Sequence, residues 1–462
     1  MPDVARTELL SADGEVLLEV DGALTAERLR EVDGLGDDRA LAVVCGVAPE
    51  EAGGACTRND VLAAAEQLEM VSRRGCVRGF LVILPRGMLL EHSVAAFNQP
   101  HVVALGATRM DFPLVFDRSD PAVADLTESY ERQERMFRVE EPDREHRLAY
   151  AADPGLFGWL SGARLDPGAL PYAIYSPTPV FRRLQSGEVG GVDRQRQYLV
   201  PDVHVLTARR DAVDAYTRCV ELAADGARFW FGEDFAQFVE IVDEMHAAEP
   251  ELGRRAAVAA GRPTVVRVLR RRPRYYAVKG GIVVPGGFAG VMLYNLQLDD
   301  TNGERFDVRL ADGEPAAIVH ATVAGGWPKI LPLVLGRGLA GLGPKTLPVE
   351  LAADQIVCLP IRDEHAAAAV AYAARLREAG LRVATELRFG DSLGARLRRH
   401  RAAWQPFHVV IGDREAAGQE PVIASPVEQD RLPLGAFVER FGGRLRRCAV
   451  PAPPTADLPF AR

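Results

Sequence analysis

The chain has 462 residues, of which 48% are hydrophobic and 26% charged, and this composition is typical of a globular protein with two to four domains. The N-terminus lacks a basic segment followed by an apolar one, and no run approaches the roughly 18 apolar residues of a membrane helix, so we expect a cytoplasmic protein without a membrane partner. The formal net charge of −9 excludes a uniformly basic nucleic-acid-binding protein, and six scattered cysteines without a CxxC pair argue against a disulfide framework or a zinc ribbon.

Residues 1–55 are predicted to form a small N-terminal αβ unit. A strand at 16–20 is followed by a helix at 25–32 and a second strand at 40–45, because short apolar runs alternate with one amphipathic stretch. Two consecutive glycines, Gly53 and Gly54, mark a break after this unit.

Residues 56–350 are predicted to form a large, mixed antiparallel α/β domain. Helical periodicity alternates with short apolar runs throughout the segment. The predicted elements are a helix at 60–71, a buried strand at 79–84, a strand within 101–118, a strand at 203–206, a helix at 212–224, and strands at 264–269 and 281–284.

Residues 351–450 show a different pattern, in which strands and helices alternate as in a compact α/β domain with parallel pairing. We predict strands at 355–360, 381–387 and 407–411, and helices at 365–378, 393–401 and 434–441. The Pro-rich tail at 451–462 is predicted to be disordered.

The segment 172–206 combines two predicted strands with a charged, Gly-rich turn. Arg182 ends the first strand, and Arg194 and Tyr198 follow across the loop. A strand-bound arginine can hold a phosphate or a carboxylate with paired N–H groups, and an aromatic ring can stack on a purine. A surface hairpin with salt bridges would have the same residues, so the segment alone leaves both interpretations open.

This segment resembles the second signature motif of class II aminoacyl-tRNA synthetases. Phe181-Arg182 matches its aromatic-arginine pair, and Arg194 to Tyr198 matches its second half. The flanking Ser186-Gly187 and Asp202-Val203-His204 are similar to threonyl-tRNA synthetases in particular.

The resemblance extends over about residues 58–445. It implies a class II catalytic core with an antiparallel sheet, a C-terminal α/β anticodon-binding-like domain, and a homodimer that forms through the first motif. The matching segments are 113–119 for the first motif, 136–137, 144–145 and 153–155 for the next block, 275–279 beside the active site, 325–329 for the third motif, and 390–400 with 409–415 in the C-terminal domain.

The resemblance also implies a nucleotide site for ATP with Mg. Arg182, Arg194, Tyr198 and Lys329 take the matching positions, and Arg182 and Lys329 would be catalytic through their charge. Two residues depart from the family. Leu184 stands where the family has a glutamate, and Lys329 replaces an arginine and so loses the planar fork of donors.

A metal site is implied by three residues far apart in the sequence. Threonyl-tRNA synthetases hold zinc with one cysteine and two histidines, and the matching residues here are Asp153, His204 and His320. Two imidazoles and a carboxylate suit zinc with an open position for substrate, and the same set suits Fe(II). We therefore expect a divalent metal, with zinc as the first choice.

The amino acid substrate would lie beside that metal. The resemblance places Asp202, Tyr276 and Lys279 at substrate-binding positions, and Asp202 could pair with an ammonium group. A threonine-like substrate would bind the metal through its amino and hydroxyl groups. Replacing the family's cysteine by Asp153 is expected to change either the preferred substrate or the metal.

The functional hypothesis is an enzyme that activates an amino acid with ATP and passes it to a non-standard acceptor in specialised metabolism. It follows from a retained core with altered nucleotide determinants and from residues 416–425, which offer no clear anticodon-reading pair. One alternative is a working, inhibitor-resistant threonyl-tRNA synthetase, for which tRNA would be the partner. The other is a metal enzyme or binding protein that uses the pocket without adenylation.

Overall fold

The computed structural model describes residues 3–46, 56–142, 144–322, 325–427 and 431–450. The predicted break at Gly53 and Gly54 and the predicted tail at 451–462 lie outside these residues. Within the described ranges, every helix is too short or too polar to cross a membrane.

The chain forms two compact units. Of the described residues, the first unit contains those up to 58, 77–80 and those within 98–333, and the second contains 59–76, 81–97 and those within 334–450. The predicted border between 56–350 and 351–450 stays a prediction.

The strands of the described residues are β1 (Val4–Leu10), β2 (Val16–Asp21), β3 (Val71–Ser72), β4 (Val82–Ile83), β5 (Thr108–Arg109), β6 (Val115–Asp117), β7 (His146–Leu148), β8 (Arg164–Leu165), β9 (Tyr172–Phe181), β10 (Gln197–Thr207), β11 (Ala236–Val242), β12 (Thr264–Leu269), β13 (Tyr276–Pro285), β14 (Gly290–Asp299), β15 (Arg309–Leu310), β16 (Ala317–Ala321), β17 (Ile356–Pro360), β18 (Val383–Thr385), β19 (Phe407–Ile411), β20 (Ile423–Ala424) and β21 (Arg431–Leu432).

The α-helices of the described residues are α1 (Ala26–Arg30), α2 (Arg39–Val44), α3 (Arg58–Gln67), α4 (Pro85–Ala104), α5 (Pro121–Arg132), α6 (Asp153–Leu160), α7 (Ala212–Phe231), α8 (Asp243–Ala248), α9 (Leu252–Ala260), α10 (Asn302–Arg305), α11 (Trp327–Leu339), α12 (Ala366–Glu378), α13 (Leu393–Ala402), α14 (Asp413–Ala416) and α15 (Leu434–Arg447). Short 3-10 turns occur at Pro167–Ala169, Arg209–Asp211 and Asp363–His365.

A ten-stranded sheet is the framework of the first unit. Its strand order is β2-β1-β12-β11-β13-β14-β16-β10-β9-β5, and all neighbours are antiparallel except β11 with β12 and β5 with β9. The predicted antiparallel core is therefore confirmed. Its long strands are β9, β10, β13 and β14, of which β10 carries Tyr198, Asp202 and His204 and β13 carries Tyr276 and Lys279.

The N-terminal segment is part of this sheet. β1 pairs with β12 in antiparallel register, with Thr7 opposite Arg267, and β2 pairs with β1 at the edge. The predicted unit at 1–55 thus contributes edge strands to the large sheet, because the apolar side chains of β1 are buried against the same core as β11 and β12.

Helix α7 covers one face of the sheet. Its 3.6-residue periodicity buries a continuous apolar stripe, which confirms the helix predicted at 212–224. Gly280 on β13 makes the contact close, since a Cβ atom there would lie 2.1 Å from the Tyr216 hydroxyl. Neighbouring residues of a strand point to opposite faces, so Lys279 points away from α7.

Three predicted elements are wrong. Residues 40–44 of the segment predicted as a strand belong to helix α2, because a short apolar run fits either a strand or a buried helix face. Asp38 caps this helix, and its carboxylate accepts from the Leu41 N–H at 2.9 Å. The predicted buried strand at 79–84 is limited to the two partly exposed residues of β4. The segment 101–118 contains the end of α4 and the short strands β5 and β6 instead of one strand.

The second unit contains a five-stranded sheet in the order β18-β17-β19-β20-β21. β17 pairs in parallel with both β18 and β19, while β20 and β21 continue the sheet in antiparallel fashion. The predicted parallel pairing is confirmed. Helices α12 and α15 supply apolar side chains such as Leu376 and Phe437 to the core of this unit.

Candidate active site and metal centre

A cavity of about 580 Å³ opens in the first unit on the sheet face that carries Lys279. It is large enough for a small-molecule substrate with a nucleotide. Of the residues predicted for the site, the cavity is lined by Asp153, Arg182, Tyr198, Asp202, His204, Tyr276, Lys279, His320 and Lys329.

A row of polar residues crosses the sheet beneath the cavity. Strand register places Lys279 opposite Gln297, Gln297 opposite His320, and His320 opposite His204. Cross-strand partners lie on the same face, so these side chains form one continuous line. Asp202 lies two residues before His204 on β10 and therefore shares this face.

The histidine end of the cavity consists of Asp153, His204 and His320. Asp153 begins α6, and its Oδ1 lies 2.9 Å from His204 Nε2 and 3.5 Å from His320 Nδ1. One ligand atom from each residue lies within 4.8 Å of the others, and all three side chains are buried. The structure thus brings together the three residues predicted to hold a metal.

Burial and hydrogen bonding have opposite effects on the pKa values of Asp153 and His320 at the histidine end. Burial raises the pKa of Asp153, but hydrogen bonds from His204 and His320 outweigh it and hold that pKa below its usual range. Burial lowers the pKa of His320, yet hydrogen bonds to Asp153 and Asp299 raise it to about 10. Burial raises the pKa of the neighbouring Asp202 to about 6, partly offset by His204.

Asp299 is a residue of the histidine end that the sequence prediction missed. It is fully buried, and its Oδ2 accepts a hydrogen bond from His320 Nε2 at 3.0 Å. Oδ1 accepts from the backbone N–H groups of Thr301 and Asn302 at 2.8 and 2.9 Å, which fixes the carboxylate. His320 is thereby oriented with Nδ1 toward Asp153, as outer-sphere carboxylates orient metal-binding histidines.

The arginine end of the cavity consists of Arg182, Tyr198 and Lys329. Tyr198 and His204 lie on β10 six residues apart, so the two ends are separated by roughly 20 Å along the strand. The Arg182 guanidinium carbon lies 5.5 Å from the Tyr198 ring centre, and its Nε donates to the Tyr150 carbonyl at 3.1 Å. Within the described residues, the Arg182 side chain makes this one hydrogen bond, so its two terminal nitrogens are available to a ligand.

Arg182 and Lys329 respond differently to the cavity. Burial lowers the pKa of Arg182, but the surrounding Tyr198 and other polar groups outweigh it, so its pKa stays above the usual value. Burial also lowers the pKa of Lys329, and the nearby Asp193 only partly offsets this. The guanidinium therefore keeps its charge where the ammonium is weakened.

Arg194 does not line the cavity. Its Nε donates to the Glu188 carbonyl at 3.4 Å, and its terminal nitrogen lies 3.9 Å from the Glu188 carboxylate. Leu184, which stands where a glutamate was expected from the resemblance, is buried and also lies outside the lining. Both residues shape the loop between β9 and β10.

A second group of possible ligands occurs in the second unit. Glu364, His365 and Asp413 have ligand atoms within 4.8 Å of one another, but both carboxylates are exposed. Arg362 donates to Asp413 at 2.7 Å, and His365 Nε2 lies 3.0 Å from the same carboxylate. These contacts are those of a surface ion-pair network.

Comparisons with known proteins agree with this architecture. Residues 355–441 match the family model of the anticodon binding domain. The RNA-binding domain of a threonyl-tRNA synthetase from Cryptosporidium parvum superposes with a TM-score of 0.68 at 18% identity, covering 83% of this chain and 98% of that one. A prolyl-tRNA synthetase from Giardia lamblia, in complex with prolyl-adenylate, gives 0.65 at 15% identity and covers 86% and 82%. The fold is therefore that of class II aminoacyl-tRNA synthetases.

Proteins with similar sequences indicate which class II synthetases this chain resembles. A threonine–tRNA ligase from Methanoculleus marisnigri is 28% identical over 346 residues, which cover 72% of this chain and 55% of the relative. One from Methanocaldococcus jannaschii is 26% identical over 351 residues, with 72% and 55% covered. The chain is thus threonyl-tRNA synthetase-like, as the sequence motifs predicted, and spans little more than half the length of these relatives.

Proposed function

We propose that this protein activates a threonine-like amino acid with ATP and transfers it to an acceptor other than the usual tRNA, in specialised metabolism. The observation that carries the proposal is one cavity with an arginine at one end and a buried Asp-His-His group at the other. Arg182 has no carboxylate within salt-bridge distance in the described part of the chain, so its charge is available to an anionic ligand.

In the activation step, a carboxylate oxygen of the amino acid attacks the α-phosphorus of ATP. The new P–O bond would form as the α–β phosphoanhydride bond breaks, with pyrophosphate as the leaving group, and a bound Mg ion would offset the charge of its phosphates. Arg182 would stabilise the charge that develops on the transferred phosphoryl group, and Lys329 would contact the terminal phosphates. In the transfer step, the acceptor nucleophile attacks the carbonyl carbon and displaces AMP.

The histidine end would hold the amino acid. Asp202 lines the cavity and can accept the substrate ammonium, while Tyr276 and Lys279 border the same space. Nucleotide stacking would fall to Tyr198, and Arg194 would act only if the loop between β9 and β10 rearranges, because its present contacts are to Glu188.

Asp153, His204 and His320 fit a divalent metal. Their donor set of two imidazoles and one carboxylate is typical of zinc sites with an open position, and Asp299 supplies the expected outer carboxylate for His320. When bound, the metal would supply a Lewis acid for the substrate's amino and hydroxyl groups. Zinc is our first choice and Fe(II) the alternative, since two histidines and a carboxylate also bind ferrous iron.

One departure at the arginine end, Lys329, and one in the adjoining loop between β9 and β10, Leu184, support an altered role. Leu184 cannot accept a hydrogen bond from the adenine amino group, and Lys329 offers a point charge in place of a fork. We propose that ATP still binds, but with weaker selection of the base and of the terminal phosphates than the resemblance alone implies.

A homodimer is part of the proposal. The segment matching the first motif exposes Leu114 and Val115 to solvent at 37% and 42%, and Trp159 on α6 is 59% exposed. Exposed apolar side chains of this size favour an interface. Sedimentation velocity of the purified protein would give the mass of the particle, and a monomer at micromolar concentration would contradict the dimer.

Aminoacylation of tRNA is the second candidate, and the match to an anticodon binding domain favours it. Against it, the segment at 416–425 contains no basic residue and so offers no clear pair of an acidic and a basic reader. Charging of a threonine tRNA transcript by the purified protein would establish this candidate in place of the first.

The decisive experiment is amino-acid-dependent exchange of pyrophosphate into ATP. We expect exchange with threonine or a related β-hydroxy amino acid by protein loaded with zinc or Fe(II), and none when Arg182 is replaced by alanine. The absence of exchange with every amino acid under both metals would overturn the proposal. If exchange is observed, transfer to an acceptor other than tRNA would be measured with radiolabelled amino acid and small nucleophiles.

A further inference from the structure

Arg182 is surrounded by aromatic rings, one of which comes from a helix that the sequence motifs do not include. Tyr130 lies near the end of α5, and the Arg182 guanidinium carbon is 5.8 Å from its ring centre. With Tyr198 at 5.5 Å, the guanidinium group has two π faces as neighbours. Cation–π attraction strengthens as the partners are withdrawn from water, and Arg182 and Tyr130 are both partly buried.

Tyr130 itself is held firmly. Its ring stacks on the buried Tyr150 ring at 4.1 Å between centroids, with 27° between planes. On the solvent side, the Arg274 guanidinium carbon lies 5.5 Å from the Tyr130 ring centre, and Arg274 also donates to the Ser129 hydroxyl at 3.1 Å. The ring therefore offers Arg182 a fixed support.

The support from Tyr130 matters because, apart from the two rings, the Arg182 side chain is held within the described residues by one hydrogen bond to a neutral carbonyl. Its Nε donates to the Tyr150 carbonyl, and that carbonyl belongs to the residue on which Tyr130 stacks. Long arginine side chains lose much rotamer freedom when they are ordered. Ordering Arg182 before a ligand arrives would remove that cost from the reaction.

We propose that Tyr130 is a positioning residue that orders Arg182 through its ring face. This inference rests on the proposed function for its kinetic consequence, but the ordering of Arg182 is a property of the protein alone. It predicts that the ring of Tyr130 is required and its hydroxyl is not.

The test compares Tyr130→Met and Tyr130→Leu, which remove the ring, with Tyr130→Phe, which keeps it. Tyr172→Met is the matched control, because Tyr172 packs partly buried against the same apolar cluster as Tyr130 and begins β9, at the end of the strand away from Arg182. Melting temperatures identify variants that fold, and two ring-less variants ensure that at least one comparison can be made.

The first readout is the rate at which phenylglyoxal modifies Arg182 in the protein alone, followed by peptide mass spectrometry. We expect roughly tenfold faster modification in the ring-less variants, the factor that corresponds to about 1.4 kcal/mol at 25 °C, and unchanged rates in Tyr130→Phe and Tyr172→Met. Equal rates in all variants would overturn the proposal, as would a Phe variant that behaves like Met.

The second readout is pyrophosphate exchange. The ring-less variants should lose roughly tenfold in kcat with little change in KM for ATP, because Arg182 acts mainly on charge that develops in the transition state. A loss confined to KM, or an equal loss in Tyr172→Met, would contradict a positioning role. If the unsubstituted protein shows no exchange, the proposed function fails while the modification rates still decide the role of Tyr130.

Discussion

The two ends of the cavity are built in different ways. At the histidine end, His204 and His320 are cross-strand partners in the middle of a ten-stranded sheet, and Asp153 and Asp299 bond to them directly. At the arginine end, Arg182 is held by aromatic rings and one backbone carbonyl, and Lys329 comes from the first turn of α11. Backbone register fixes the first arrangement, whereas side-chain packing fixes the second.

This difference bears on the residues that depart from the resemblance to threonyl-tRNA synthetases. We propose that Asp153, which stands where the resemblance implies a cysteine, keeps a metal ligand at the histidine end beside the imidazoles that β10 and β16 present. Lys329 stands at the arginine end where the resemblance implies an arginine, and Leu184, in the loop between β9 and β10, stands where it implies a glutamate. We infer that the histidine end tolerates a change of ligand chemistry and that the arginine end accounts for changed nucleotide use.

The largest effect is expected at Arg182. Arg182→Ala should lower kcat/KM for pyrophosphate exchange by at least about 10³-fold, because it removes a charge-stabilising donor from a water-poor site. Exchange kinetics would measure it.

Arg183→Ala is the matched control, since Arg183 is the exposed neighbour and bonds Glu134 at 3.1 Å. If both alanine variants lose activity equally, the arginine end has been assigned to the wrong residue.

The next largest effect tests the histidine end. Asp153→Ala should lower metal affinity by more than about 100-fold, because even outer-shell partners contribute 10- to 100-fold. Elemental analysis of purified protein would then fall from about one metal per chain to a trace.

Asp413→Ala in the second unit serves as the control, since it removes a carboxylate from the exposed cluster with Glu364 and His365. Metal that remains in Asp153→Ala but disappears in Asp413→Ala would move the metal centre to the other unit.

A smaller effect is expected at Asp299. The Asp299 carboxylate now accepts from the Asn302 side chain and from His320. In Asp299→Asn, an amide NH₂ group would face one of these donors, so His320 would lose its fixed orientation. Metal affinity should fall by roughly 10- to 100-fold, the usual range for outer-sphere partners. Competition with a calibrated chelator would measure the loss.

Asp300→Asn is the neighbouring control, because Asp300 pairs with Arg272 at the surface. Unchanged affinity in Asp299→Asn would show that cross-strand register alone orients His320.

The smallest effect concerns Lys329. Lys329→Arg restores a fork of donors, and KM for ATP should fall by roughly 3- to 10-fold. Burial lowers the pKa of Lys329, so the ammonium group loses its charge at a lower pH than an ordinary lysine does. An arginine at this position stays charged over the same pH range. The variant should therefore keep exchange activity to higher pH.

Initial-rate measurements over a pH series would decide this. Lys329→Gln is the control and should lose the alkaline limb altogether. If the arginine and lysine forms share the same alkaline decline, another group titrates there.

The predictions from sequence were most accurate where local periodicity decides. Helix α7 follows from its apolar stripe, and the C-terminal strand and helix alternation follows from short-range patterns. The segment at 40–45 failed because an apolar run of that length fits a strand and a buried helix equally well. The Asp38 carboxylate favours the helix because it accepts a hydrogen bond from the Leu41 N–H in the first turn.

For the site, motif order was sufficient to select Asp153, His204 and His320, although the distances between them came from folding. Asp299 was missed because its role depends on being beside His320 across two strands. Tyr130 was missed because helix α5 lies outside the motifs, and no periodicity tells which ring will meet Arg182.

The sequence by itself determined the threonyl-tRNA synthetase-like character of the chain, the two types of sheet, and the residues worth examining, because motifs and periodicity are properties of neighbours along the chain. Only the tertiary structure decided that His204 and His320 face each other, that Asp299 orients one of them, that Arg194 turns away, and that Tyr130 supports Arg182. Strand register and packing fix these contacts when the cores close, and most of them join residues that are far apart along the chain.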